Sequence, residues 1–243
     1  PRDQKPTTGS LATATLVAPA PVPRPGASDG LDPAMPAKPL MRGWLHLGMV
    51  PVALIAGLVL VITTGSLVAR LAEGIYLVTA LMLFGNSASY HLGHWTPRVR
   101  QVFRRFDHSN IAIFIAGTYT PLAVLLLSGV SRTVLLAVIW GLALAEVVIR
   151  NVWLGAPRWL YTVLYVAMGW AALFWLGQMV ASGGLAVLIL LLAGGLAYTA
   201  GAVVYALKKP NFSLRWFGFH ELFHSGTIVG AGCHFVAIWL AAH

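Results

Sequence analysis

The sequence predicts an all-α, polytopic membrane protein, a bundle of seven transmembrane helices. Three observations carry that expectation. Hydrophobic residues make up 58% of the 243-residue chain and charged residues only 9%, against about 25% charged in an average soluble domain. The mean hydropathy is +0.78, so there is too little charge to clothe a water-facing surface. From Trp44 onward, long apolar runs alternate with short polar or basic breaks, and each run approaches the roughly 20 residues a helix needs to cross the hydrocarbon core. Lipid offers the backbone no water, so spans of this kind are helices. A run such as LAVLILLLAGGLA lacks the alternation of a barrel strand.

Residues 1–43 differ from the rest. They hold nine of the 14 prolines, mixed with Ala, Thr, Gly and Ser, and bury too little apolar surface to offset their ordering entropy. They are expected to form a disordered, Pro/Ala-rich cytoplasmic tail ahead of a membrane domain at 44–243. No continuous apolar core of a secretory signal peptide is found there. The chain opens on Pro1, and Met35 and Met41 are alternative starts. Cys233 is a single cysteine, which excludes an internal disulfide framework and a Cys-based zinc ribbon.

The predicted spans run roughly Trp44–Thr63, Glu73–His91, His108–Ser128, Thr133–Ile149, Trp159–Gln178, Leu185–Leu207 and Phe217–Ala241. With seven spans, the N-terminus shares one side with the breaks at Arg98–Arg105, Arg150–Arg158 and Lys208–Arg215. That side collects 14 of the 16 Lys and Arg residues, leaving only Arg70 and Arg132 opposite. Positive charge stays inside, so the N-terminus is expected in the cytoplasm and the C-terminus outside, in the cell membrane. The net charge of +9 is thereby a topology signal, and no nucleic-acid partner is needed to explain it. The Arg98–Arg105 run also suits contact with anionic lipid.

Ionisable groups inside a membrane are costly and mark function. The last span opens with His220-Glu221-Leu222-Phe223-His224. Histidines at i and i+4 share a helical face and can reach one metal ion, and the letters match the H-E-x-x-H of zinc proteases. His91 ends the second span at the same cytoplasmic depth. Ser87 lies one turn deeper, and Asp107 opens the third span, where Asp also suits a helix N-cap. Elsewhere, Glu146 reads as a helix pair with Arg150 at i+4. Gly226 and Gly230 read as close helix packing. His234, about 21 Å along the helix from His220, reads as a polar contact deep in the bundle.

Three blocks resemble the hemolysin III family, within the progestin and adiponectin receptor superfamily. They are Ser87-Ala88-Ser89-Tyr90-His91, then Asp107-His108-Ser109-Asn110-Ile111 with Ala116–Pro121 after it, and Phe217–His224 continuing to His234-Phe235. The resemblance covers the chain from about residue 44 and excludes the tail. It implies Zn2+ held by His91, His220 and His224, with Asp107 and Ser87 beside the metal as catalytic groups and Glu221 in a supporting or proton-handling role. Receptor members usually carry Gln in place of Glu221. Similarity to membrane ceramidases implies hydrolysis of a lipid amide, with membrane lipids as partners. Three other functions compete: a membrane-active cytolysin or pore former, a receptor or sensor with structural zinc, and an intramembrane zinc protease. Uniformly apolar spans argue against a wide aqueous channel. The protease lacks a further acidic ligand in a setting that suits one.

Overall fold

The computed structural model describes residues 39–153, 158–213 and 215–243; most of the expected tail lies outside them. The described residues form helices α1 (Trp44–Thr63), α2 (Leu67–Leu92), α3 (Pro97–Leu126), α4 (Gly129–Val152), α5 (Arg158–Gly169), α6 (Leu176–Leu207) and α7 (Phe219–Ala242), with a 3-10 segment at Ala171–Trp175. Among them there is no named strand, only an isolated bridge between Ser213 and Phe217. Six segments are long and apolar enough to cross a membrane, the fifth of them running 49 residues from Trp159 to Leu207. The protein is therefore a multi-pass helical membrane protein. Large apolar side chains such as Ile55, Ile62, Leu67 and Leu196 lie on the outer surface, where lipid is their natural solvent.

A straight helix of 49 residues would be about 74 Å long, more than twice the hydrocarbon thickness. The segment instead turns back on itself. Trp170 Nε1 donates to Thr199 Oγ1 at 2.9 Å, a contact between residues that about 43 Å of straight helix would separate. The reversal sits at Gly184, with φ 76° and ψ −177° inside the nominal α6, a conformation that glycine alone adopts readily. The fifth predicted span is thus broken into α5, the 3-10 segment and the first three residues of α6.

The third helix starts earlier than hydropathy suggested. Thr96 and Pro97 open it, Pro at the first position being favoured because its missing N–H would be unpaired there. Arg98–Arg105 are therefore helical rather than a loop, and Asp107 lies in the third turn rather than at an N-cap. Helix α3 is the most enclosed element and packs against α2, α4, α5, α6 and α7. Asn110 Nδ2 reaches Met82 O at 2.9 Å and ties it to α2. The α6–α7 contact is close because Gly226 faces the Ala197 carbonyl and Gly201, and Gly230 faces the Tyr198 ring. The expected Glu146–Arg150 ion pair is absent among the described residues; Arg150 places its guanidinium 3.8 Å from the Tyr161 ring centroid, a cation–π contact.

Candidate metal centre

Histidines separated by 129 residues meet at one end of the bundle. His91 Nε2 and His220 Nε2 lie 3.1 Å apart, and ring centroids are 4.8 Å for His91–His220, 5.3 Å for His91–His224 and 4.5 Å for His220–His224. One ring nitrogen from each lies within 4.8 Å of the others. Helix period explains the α7 pair, since i and i+4 lie one above the other. His91 reaches them because it sits in the last turn of α2, where the chain leaving residue 43 presses on it. A Cβ built on Gly43 would come within 2.8 Å of the His91 Cβ, and Gly43 has φ 89°; only glycine suits that close, left-handed position.

The donor set fits a metal ion. Tetrahedral coordination at metal–nitrogen distances of 2.0–2.1 Å requires nitrogens about 3.4 Å apart, close to the His91–His220 separation. Two imidazole nitrogens facing each other can share at most one proton, and His224 Nδ1 is buried without a hydrogen-bond partner. All-imidazole sites suit the borderline transition metals and not calcium or magnesium. The three histidines can hold such an ion.

Asp107 and Ser87 stand beside this triad. Ser87 is buried and lies beside the Asp107 carboxylate, so α2 and α3 bring together two of the three non-histidine residues that the resemblance places at the site. Both line, with the three histidines, a cavity of about 560 Å³, within the size range of ligand sites. Glu221 has both oxygens committed elsewhere. Oε2 accepts from Gly218 N at 2.8 Å, and Oε1 accepts from Arg42 Nε at 2.7 Å. Its carboxylate caps the first turn of α7, which removes it from the base role that H-E-x-x-H would give it.

Two contributors escaped the sequence reading. His46 of α1 is buried and stacks on His224, with centroids 3.8 Å apart and planes 11° from parallel; both its nitrogens lack partners. Arg42, assigned to the tail, is the counter-ion of Glu221. Residues 40 and 41 are also held, Leu40 N by Arg215 O at 2.9 Å and Met41 N by Trp216 O at 3.3 Å. His234 is far from the triad along α7 and bonds Leu191 O through Nε2 at 3.2 Å, the deep polar contact expected of it.

Fold and site together define a class: multi-pass helical membrane proteins with a tri-histidine cluster at one end of the bundle. Comparison with known proteins narrows it. A family model described as "Haemolysin-III related" matches residues 35–235. The chain is 31% identical to "Hemolysin-3" of Bacillus cereus, covering 72% of this chain and 76% of that protein. It is 31% identical to the "Hemolysin-3 homolog" of Bacillus subtilis (strain 168), covering 68% and 74%. It is also 30% identical to "Heptahelical transmembrane protein ADIPOR2" of Oryza sativa subsp. japonica, covering 70% and 82%. The chain belongs to the haemolysin-III related family.

Proposed function

We propose that this protein is a zinc-dependent hydrolase of lipid amides, residing in the cell membrane. The carrying observation is the meeting of three imidazoles with the Ser87–Asp107 pair on the wall of one lipid-sized cavity. The residues that would hold Zn2+ are His91, His220 and His224. When bound, zinc supplies a Lewis acid that polarises a carbonyl and lowers the pKa of water to about 7. Asp107 accepts the proton of the attacking water and returns it to the leaving amine. Ser87, which lies beside Asp107, orients its carboxylate for that exchange. Glu221 and Arg42 act from outside, fixing the turn that carries His220. The apolar remainder of the cavity holds the acyl chain and excludes bulk water.

The same reading has seven crossings, with the doubled-back Trp159–Leu207 segment counted as two. The cytoplasmic face then holds the N-terminus and the metal end, and His243 lies outside. A rice relative's name, heptahelical, accords with this count. A reporter fused after His243 is expected to report a non-cytoplasmic position; a cytoplasmic signal overturns the topology.

The names of the two Bacillus relatives favour a second reading, direct lysis of membranes. One experiment separates the two. Purified protein and a His220→Ala/His224→Ala variant are compared for zinc content, for turnover of a lipid-amide panel, and for lysis of target membranes. The hydrolase predicts near-stoichiometric zinc and turnover in wild type, both lost in the variant. Wild type without zinc refutes it. Lysis that persists in the variant supports the cytolysin.

A further inference from the structure

The mouth of the cavity is strongly cationic. Arg42, Arg100, Arg104, Arg105 and Arg150 line it, and Asp107 is the single carboxylate among the lining residues. Positive-inside topology asks only that basic residues stay on one side of the membrane. It does not ask that they face an internal cavity, and Arg98, Lys208, Lys209 and Arg215 satisfy it without doing so. Two of the five lining arginines have partners already, Arg42 with Glu221 and Arg150 with the Tyr161 ring. Arg100, Arg104 and Arg105 have no carboxylate partner among the described residues, and Arg105 Nε is buried without a hydrogen bond. Arg100 and Arg104 are exposed and Arg105 is half-buried, so three guanidiniums without a carboxylate partner stand at the open end of the cavity, where they favour an anion. Guanidinium groups suit phosphate, which they engage through paired, charge-assisted hydrogen bonds.

The order of residues along α3 gives the shape of that anion. One stripe of the helix lines the cavity, with the i, i+3, i+4 spacing of a single face. It begins with Arg100 and Arg104, passes Asp107, and then turns largely apolar from Ile111 to Leu122, with Thr118 and Tyr119 the polar exceptions. From Asp107 to Leu122 the rise is about 22 Å, more than half the roughly 30 Å hydrocarbon core. The face therefore runs from cation through reaction centre to a long, largely apolar wall.

We propose that the ligand of this chamber is an anionic amphiphile. Its phosphate head is held by Arg100, Arg104 and Arg105, and its hydrocarbon chain lies along α3 beyond Asp107. This rests on the hydrolase reading only for the position of the cleaved bond. In that reaction the amide C–N bond breaks, the carbonyl carbon gains the water oxygen, and the amine nitrogen takes the proton. The products are a fatty acid and a phosphate-bearing amine.

The test uses the full chain in phosphatidylcholine nanodiscs. Two probes share one acyl chain, ceramide 1-phosphate and ceramide, and both binding and cleavage are measured. Wild type is expected to bind the phosphorylated probe at least about tenfold more tightly, the worth of one charge-assisted contact. In Arg100→Gln/Arg104→Gln that ratio is expected to fall toward one while the protein keeps its metal. Equal affinities in wild type, or a preference that survives the double substitution, overturn the proposal. Displacement of the lipid by inorganic phosphate at comparable concentration also overturns it, because the site would then be one for a small free anion. Wild type that prefers the phosphorylated probe but cleaves neither refutes the hydrolase and leaves this inference standing. Cleavage of both probes without preference refutes this inference alone.

Discussion

Replacing Arg42 with Met tests how firmly the first turn of α7 depends on a residue outside the spans. The Arg42–Glu221 contact is 2.7 Å, with side-chain exposures of 19% and 0%. Arg42→Met strands the Glu221 carboxylate in the interior, and stranding one member of a buried pair costs about 3–5 kcal/mol. Some water reaches Arg42, so the expected loss falls at or below the bottom of that range, about 2–3 kcal/mol. Glu221 directly follows His220, and loss of the groups that orient a ligand typically weakens metal binding 10–100-fold. On the proposed zinc site, metal affinity, measured by chelator competition on the solubilised protein, is expected to fall within that range, together with the melting temperature. Adding Glu221→Gln removes the stranded charge and keeps an acceptor for the Gly218 N–H. The double variant is therefore expected to recover most of the stability, a coupling that a double-mutant cycle measures directly. Arg42→Met that melts and binds zinc like wild type refutes the reasoning.

Substitutions at four further positions have defined outcomes. His46→Ala removes a buried ring stacked on His224 and is expected to cost about 2–4 kcal/mol in thermal or denaturant unfolding; His46→Phe is expected to restore packing and retain zinc by metal analysis, and loss of zinc in His46→Phe would make His46 a ligand. In Gly226→Val the new Cβ meets Ala197 O at 2.9 Å and Gly201 Cα at 3.1 Å, so melting is expected to show about 1–3 kcal/mol of overpacking cost. Gly232→Val, with nothing within 4 Å of its Cβ, is the neutral control. Gly184→Val forces a branched side chain into a glycine-only conformation at about 1–3 kcal/mol, read out as a lower melting temperature with unchanged zinc content.

Much of this was legible because lipid makes the code simple. Hydropathy placed α1 at Trp44–Thr63 as observed, since both its ends coincide with polar breaks. It misplaced the start of α3 because helices do not stop where the hydrocarbon stops, and Arg98–Arg105 extend one through backbone bonding and a favourable Pro97. It missed the break within the fifth span because Trp170–Trp175 is as apolar as the helix around it. The histidine triad was legible from the i, i+4 spacing and from the scarcity of charge around it. His46 was not, because its partner His224 is 178 residues away and nothing local marks the contact. The role of Glu221 was hidden for a related reason: the residue that claims it, Arg42, sat in a segment whose composition resembles the tail.

The His91–His220 contact also joins two helices that pack mainly against other neighbours, α2 against α1 and α3, α7 against α6. Seen as a cross-link, an ion held there would close a loop of 129 residues. By chain-entropy reasoning, tying the ends of a soluble loop near that length is worth about 4–5 kcal/mol. Helices already threaded through a bilayer have less freedom to lose, so the tether here stabilises by less. Its effect is also local. Removing the ion would let the histidine ends of α2 and α7 part, while the glycine-mediated seam between α6 and α7 holds. Demetallation should then register as faster amide exchange around His91 and His220, with Gly226–Gly230 as protected as before.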